Sequence, residues 1–201
     1  MLLAGGIIVV ATVCIASWRT SIKSRRKKAV KLAEELDMEL LASDNPNSLV
    51  VAGEINNRAS TIRYQKEPGN VLPKTENLLL SVECDCAIDF IVAKTHLELT
   101  PSDNHVSVAM LNSNALHLFS AEKEKTAYIF EQPETVQSLI DLFERTDADR
   151  LEVAAYKVNA TVVETKEVRF TASRISDALQ SLDRFARLLE FVLEEQSHSE
   201  N

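Results

Sequence analysis

The run NLLLSVECDCAIDFIVAK, residues 77–94, keeps every even position from 78 to 92 apolar or cysteine. Its even positions are Leu78, Leu80, Val82, Cys84, Cys86, Ile88, Phe90 and Val92, and Ser81, Glu83, Asp85 and Asp89 stand between them. Side chains two apart share one face of a strand, so this period predicts an extended segment with one face in a core. A single strand of this length exceeds the usual range. A bulge near Asp85 would shift the parity and expose one thiol, so whether the alternation breaks there is the question the run poses.

Two cysteines one residue apart raise a metal or redox site. Their parity argues for packing, because Cys84 and Cys86 fall on the apolar face, where free cysteine behaves as a small hydrophobe. Zinc takes about four Cys, His or carboxylate ligands. The third cysteine, Cys14, lies in a distant apolar run, and His96, His105, His117 and His198 form no ligand motif. A stable disulfide is disfavoured in a reducing compartment. Core packing is the expectation, with a thiol switch at Cys84 and Cys86 as the alternative. The acidic face of Glu83, Asp85 and Asp89 suits a cation or a basic partner, but 30 acidic residues in the chain make a solvated strand face the simpler reading.

Working outward, SLVVAGEI and ASTIRYQK flank Asn56-Asn57, a pair that tolerates the positive φ of a tight hairpin turn. HVSVAML, ALHLFSA and TAYIFEQ read as further strands. Pro133 opens a helix, PETVQSLIDLFER, where its missing N–H is no loss. RLEVAAYKV and ATVVETKEVRF read as one more hairpin. A final helix over 173–196 carries the stripe Ile175, Leu179, Leu182, Phe185, Leu189 and Leu193, and an earlier one covers 23–42. Runs of strands broken by isolated helices indicate α+β: a mainly antiparallel sheet with two or three packed helices.

Residues 1–18, MLLAGGIIVVATVCIASW, hold no charged side chain, and 19–31, RTSIKSRRKKAVK, hold seven basic residues and no acid. As a helix of about 27 Å the first stretch nearly matches a bilayer core of about 30 Å. It predicts an N-terminal transmembrane anchor. A cleaved signal peptide would carry its positive charge before the apolar run. Trp18, Arg19, Lys23, Arg25, Arg26, Lys27 and Lys28 are the expected membrane-interface residues. Basic residues on this side place the N-terminus outside and the domain in the cytoplasm at the cell membrane. The expected organisation is an anchor at 1–18, a basic juxtamembrane helix and linker at 19–46, an α+β domain at 47–196 and a disordered tail at 197–201.

The 22 basic residues less these seven leave 15 against 30 acids after residue 31, a net of −15. Such a body repels a phosphate backbone, so nucleic acid is not an expected partner. Only Gly53 and Gly69 lie beyond the anchor, too few for a phosphate-binding glycine loop, and no nucleophile elbow is present. No catalytic residue, cofactor or metal is predicted. The chain reads as a single-pass membrane protein with an interaction or scaffolding domain. Its expected partners are the lipid bilayer and an unidentified protein, and a homodimer through the last helix is a further reading. A small-molecule or ion-binding domain, or a hydrolase without a recognisable motif, is the alternative. Tyr64, Tyr128 and Tyr156 are the aromatic contact candidates.

Overall fold

The structure, a computed structural model, describes residues 23–41, 49–66, 76–94, 105–111, 114–163 and 170–199. In chain order it forms α1 (23–36), β1 (Glu39–Leu41), β2 (Leu49–Ile55), β3 (Arg58–Lys66), β4 (Glu76–Glu83), β5 (Phe90–Ala93), β6 (His105–Leu111) and β7 (Asn114–Ser120). Then follow α2 (Lys123–Glu131), α3 (Pro133–Thr146), β8 (Ala148–Ala154), β9 (Lys157–Val163) and α4 (Ala172–Ser199). The predicted class is right: an α+β fold on one antiparallel sheet, with four helices among the described residues.

The sheet runs β1-β2-β3-β4-β9-β8-β5-β7-β6, with every neighbouring pair antiparallel. Period-2 alternation fixes its buried face, which carries Val51, Ile62, Leu80, Val82, Val158, Ala160, Leu151, Val153, Val92 and Leu116. Helix α4 lies against β4 and β9 on that face, and α3 packs on α4. The stripe predicted for the last helix is buried there: Ile175, Leu179, Leu182, Phe185 and Leu189 all join the core. That burial serves the chain's own core.

Four expectations change. The first helix stops at residue 36, because Asp37 turns left-handed at φ 54°. Met38 N–H reaches Ala33 O at 2.9 Å and Asp37 N–H reaches Glu34 O at 3.4 Å, the two bonds of a Schellman stop. The chain can then form β1. Met38 crosses β2 so closely that a Cβ on Gly53 would meet its Cγ at 2.5 Å, so glycine is required by the close approach.

TAYIFEQ is helical, not a strand. Thr126 and Ile129 are its buried residues, three apart, and the Thr126 hydroxyl donates to Glu122 O at 2.7 Å. The turn of the late hairpin lies at Ala155-Tyr156 (φ 51° and 60°), residue types that seldom signal a left-handed turn. Its register follows the inward pairing of Val153 with Val158 and Leu151 with Ala160. Asn56-Asn57 is the predicted turn, with φ of 51° and 65°.

The fourth change concerns the opening run. Its ladder stops at Glu83 and resumes at Phe90. Between them an arch, 84–89, passes round the tip of the β8–β9 hairpin, its Cys84 N–H donating to Tyr156 O at 2.9 Å. The arch keeps its parity: Cys84, Cys86 and Ile88 are buried, while Asp85, Ala87 and Asp89 are exposed. The run breaks near Asp85, but by leaving the sheet and not by a bulge.

Among the described residues no helix is long and apolar enough to cross a membrane. The expected anchor at 1–18, Trp18 and Arg19 lie outside the described residues. Helix α4 continues through Ser199, into the stretch read as a tail.

Candidate functional site

One end of the sheet gathers polar chemistry. The Asn56-Asn57 turn, the Ala155-Tyr156 turn and the arch meet there beneath the second half of α4. Asp183, Arg187 and Glu190 follow one another at i, i+4 and i+7, so they share one face of that helix. Arg58, the first residue of β3, points at them from the sheet.

Glu190 holds Arg58 with both carboxylate oxygens, Nη1 to Oε1 at 2.6 Å and Nη2 to Oε2 at 2.5 Å. Paired forks of this kind are the strong form of the ion pair. Arg58 Nη1 also donates to Glu83 O at 3.1 Å, at the point where β4 ends. The same Oε1 accepts Asp85 N–H at 2.6 Å, so Glu190 fixes the arch and β3 together.

Asp183 is 2% exposed. A buried carboxylate is costly unless paired and hydrogen-bonded. Here Arg58 Nε approaches Oδ1 at 3.1 Å, Arg187 Nε lies 3.1 and 3.2 Å from the two oxygens, and Asn56 Nδ2 donates to Oδ2 at 2.8 Å. Arg187 Nη2 closes the ring on Asn56 O at 2.9 Å. Asn56 therefore serves two roles, the left-handed turn and the partner of a buried charge.

Electrostatics follow from these contacts. The hydrogen bond to Glu190 raises the Arg58 guanidinium further above its ordinary value, against the burial that lowers it. For Glu190 burial alone pushes upward, but Arg58, the Asp85 amide and Arg187 outweigh it and hold the carboxyl below its usual range.

Beside the cluster lies an open groove of about 790 Å³. The arch forms one wall with Asp85, Cys86 and Ala87. Glu124 and Lys125 at the start of α2 form another, and Glu190, Leu193, Glu194, Gln196 and Ser197 on α4 complete it. Four carboxylates against one lysine make the lining acidic. At its edge Lys125 Nζ donates to Glu122 at 2.8 Å, and this bond holds the Glu122 carboxyl below its ordinary range.

Cys84 and Cys86 are free thiols with Sγ atoms 2.9 Å apart. Cys84 has no exposed surface; Cys86 is 5% exposed and borders the groove. The contact with Cys86 and burial push the Cys84 thiol well up. The contact with Cys84 pulls Cys86 down, against burial and the Glu190 and Asp85 carboxylates. Among the described residues no group of three or more His, Cys, Asp or Glu is arranged to hold a metal ion.

The sequence-predicted positions scatter. Lys23, Arg26, Lys27 and Lys28 are exposed on α1, whereas Arg25 is turned in and buried. Tyr64 is buried, Tyr128 half-buried and Tyr156 57% exposed, so of these three Tyr156 offers an aromatic contact surface. Sequence reasoning missed Arg58, Asp183, Arg187 and Glu190. The readable signal was the charged i, i+4, i+7 series on one face of an amphipathic helix, with Asp183 flanked by the apolar Leu182 and Phe185 stripe; Arg58 carried none.

No family model matches this chain, and no curated protein matches it in sequence. Among solved structures it is similar to the crystal structure of the mycobacterial trehalose monomycolate transport factor A, TtfA. The likeness has a TM-score of 0.50 at 13% identity and covers 84% of this chain and 94% of that one. At that identity the similarity is one of fold.

Proposed function

We propose that this chain is a single-pass membrane-anchored interaction module whose acidic domain sits at the cytoplasmic face and takes a basic segment of a partner protein. The observation that carries the reading is the acidic groove between the arch, α2 and α4, which is open, pre-formed and fixed along one wall by the Arg58–Glu190 fork. A Lys- or Arg-rich segment is complementary to it, and such binding weakens with salt. The apolar run at 1–18 and its basic collar support the anchor and its orientation. The name of the structural neighbour, a transport factor, offers a setting for such a module.

Two experiments test this. Protease accessibility on intact cells expressing the full chain should protect the domain; cleavage from outside overturns the topology. Partner capture from membranes should give a protein lost by Glu124→Lys with Glu194→Lys, two exposed positions whose change leaves the melting temperature in place. Capture that ignores the double variant removes the groove from the reading.

The groove's volume also favours a second reading, a small-molecule or ion ligand, since such sites span about 300–1,000 Å³. A ligand of that class raises the melting temperature of the full chain without any partner protein.

A further inference from the structure

The arch holds two thiols in near contact on a backbone that no neighbouring strand pairs. Beyond the Cys84–Tyr156 bond, its tether at the cysteines is the Asp85 N–H on Glu190 Oε1 at 2.6 Å. One thiol, Cys86, borders the groove; the other, Cys84, lies behind it against Ala186 O, 3.7 Å from its sulfur. This is the arrangement of an attacking sulfur with a resolving one.

We propose that Cys84 and Cys86 form a peroxide-responsive dithiol that closes to an intrachain disulfide and, in closing, draws Asp85 away from Glu190 at the groove wall. The inference stands whatever the groove binds.

The chemistry balances with a hydroperoxide as oxidant. The Cys86 thiolate attacks the terminal peroxide oxygen, the O–O bond breaks, and Cys86 becomes a sulfenic acid while the alkoxide or hydroxide takes up a proton. Cys84 sulfur then attacks the Cys86 sulfur. The S–S bond forms, the S–O bond breaks, and hydroxide leaves with the Cys84 proton as water. An external dithiol reverses the change by exchange. Cysteine pairs of this transient, sensing kind are the ones that occur in reducing compartments.

Geometry supplies the consequence. Cα atoms two residues apart in an extended chain are about 6.6–6.8 Å apart, whereas a disulfide spans about 4.4–6.8 Å. The sulfurs, 2.9 Å apart, must close to about 2.0 Å. Reaching the usual disulfide separation of about 5.5–6 Å shortens the backbone at Asp85 and bows it outward. In a laddered strand that movement would break bonds on both sides; in the arch it breaks the one to Glu190.

The test uses the full chain in lipid nanodiscs with Cys14→Ser, so that only this pair responds. Hydrogen peroxide should remove both thiols and two hydrogens from the intact mass, and an added dithiol should restore them. Cys84→Ala should stop at a Cys86 sulfenic acid trapped by dimedone, and Cys86→Ala should leave Cys84 unlabelled. Exchange of the Asp85 amide should quicken on oxidation by about tenfold or more. Two thiols that persist under peroxide, a disulfide between chains, or labelling of Cys84 in Cys86→Ala overturns the proposal. Where either alanine variant fails to fold by circular dichroism, the parent protein's mass and the Asp85 exchange decide. None of these readouts depends on a partner, so failure here is separate from failure of the groove.

Discussion

The arch at 84–89 and strand β9 carry the same alternation and meet different fates. In β9, Val158, Ala160 and Val162 face the core while the backbone is bonded to β4 on one side and β8 on the other. In the arch, Cys84, Cys86 and Ile88 are buried just as deeply, at 0%, 5% and 2% exposure, with no ladder on either side. The comparison separates two things that sequence alternation usually reports together. Period two encodes which side chains are buried; it does not encode which backbone groups are paired. Pairing depends on what lies beside the chain, and beside the arch lies a hairpin tip.

The sharpest way to break this comparison is to remove buried carbon from each region. Ile88→Ala deletes three carbons from a fully buried site and should cost about 3 kcal/mol; Val158→Ala deletes two and should cost about 2 kcal/mol. Urea unfolding measures both. The costs should follow the carbon removed, whether or not a ladder is present. An Ile88→Ala cost below about 1 kcal/mol would mean that the arch collapses into the gap and is core in name only.

Next in size is the ionic tether that stands in for the ladder. Arg58→Ala leaves Asp183 and Glu190 short of their shared partner and should cost about 2–3 kcal/mol, moderated because Arg187 and Asn56 still hold Asp183. Glu190→Gln is milder, about 1–2 kcal/mol. It also has a pH signature. The Glu190 carboxyl is depressed in the folded protein, so its contribution is present above the unfolded value of about 4.3 and is lost as pH falls through the folded one. The parent protein should therefore lose stability faster than Glu190→Gln as pH drops below about 4, and the two should converge in acid. Parallel curves would show that Glu190 is not held by Arg58 in solution.

Much of the fold was legible because its signals were local. Asn56-Asn57 marks a turn by residue type, Pro133 marks a helix start, and the α4 stripe marks a buried face. What was illegible depended on distant partners. TAYIFEQ is rich enough in β-branched and aromatic residues to read as a strand, and the burial of Thr126 and Ile129, three apart, goes with its helical form. Ala155 and Tyr156 turn left-handed with no residue-type cue, because strand pairing on both sides leaves the chain nowhere else to reverse. At the candidate site the cysteines were visible and their parity was read correctly. Their place at the groove wall was not, since the arch is tethered there by Glu190, 105 residues away along the chain. Arg58 looked like any strand-edge arginine for the same reason.

The smallest effect on global stability, and the most direct on the comparison, comes from amide exchange in the unaltered protein. Core burial protects a side chain from water, but an amide is protected by its own hydrogen bond and by the cost of opening it. Ladder amides on both sides of β9, such as those of Val158 and Val162, should therefore exchange only on global or near-global opening. Cys86 and Ala87 in the arch have neither ladder partner and should exchange by local fluctuation, at least about a hundredfold faster, while Cys84 and Asp85 fall between, held by Tyr156 O and Glu190. Arg58→Ala should move Asp85 toward the fast group and leave β9 in place. Equal protection along 84–89 and β9 would contradict this account, because it would require a pairing of the arch backbone that its path round the hairpin tip does not provide.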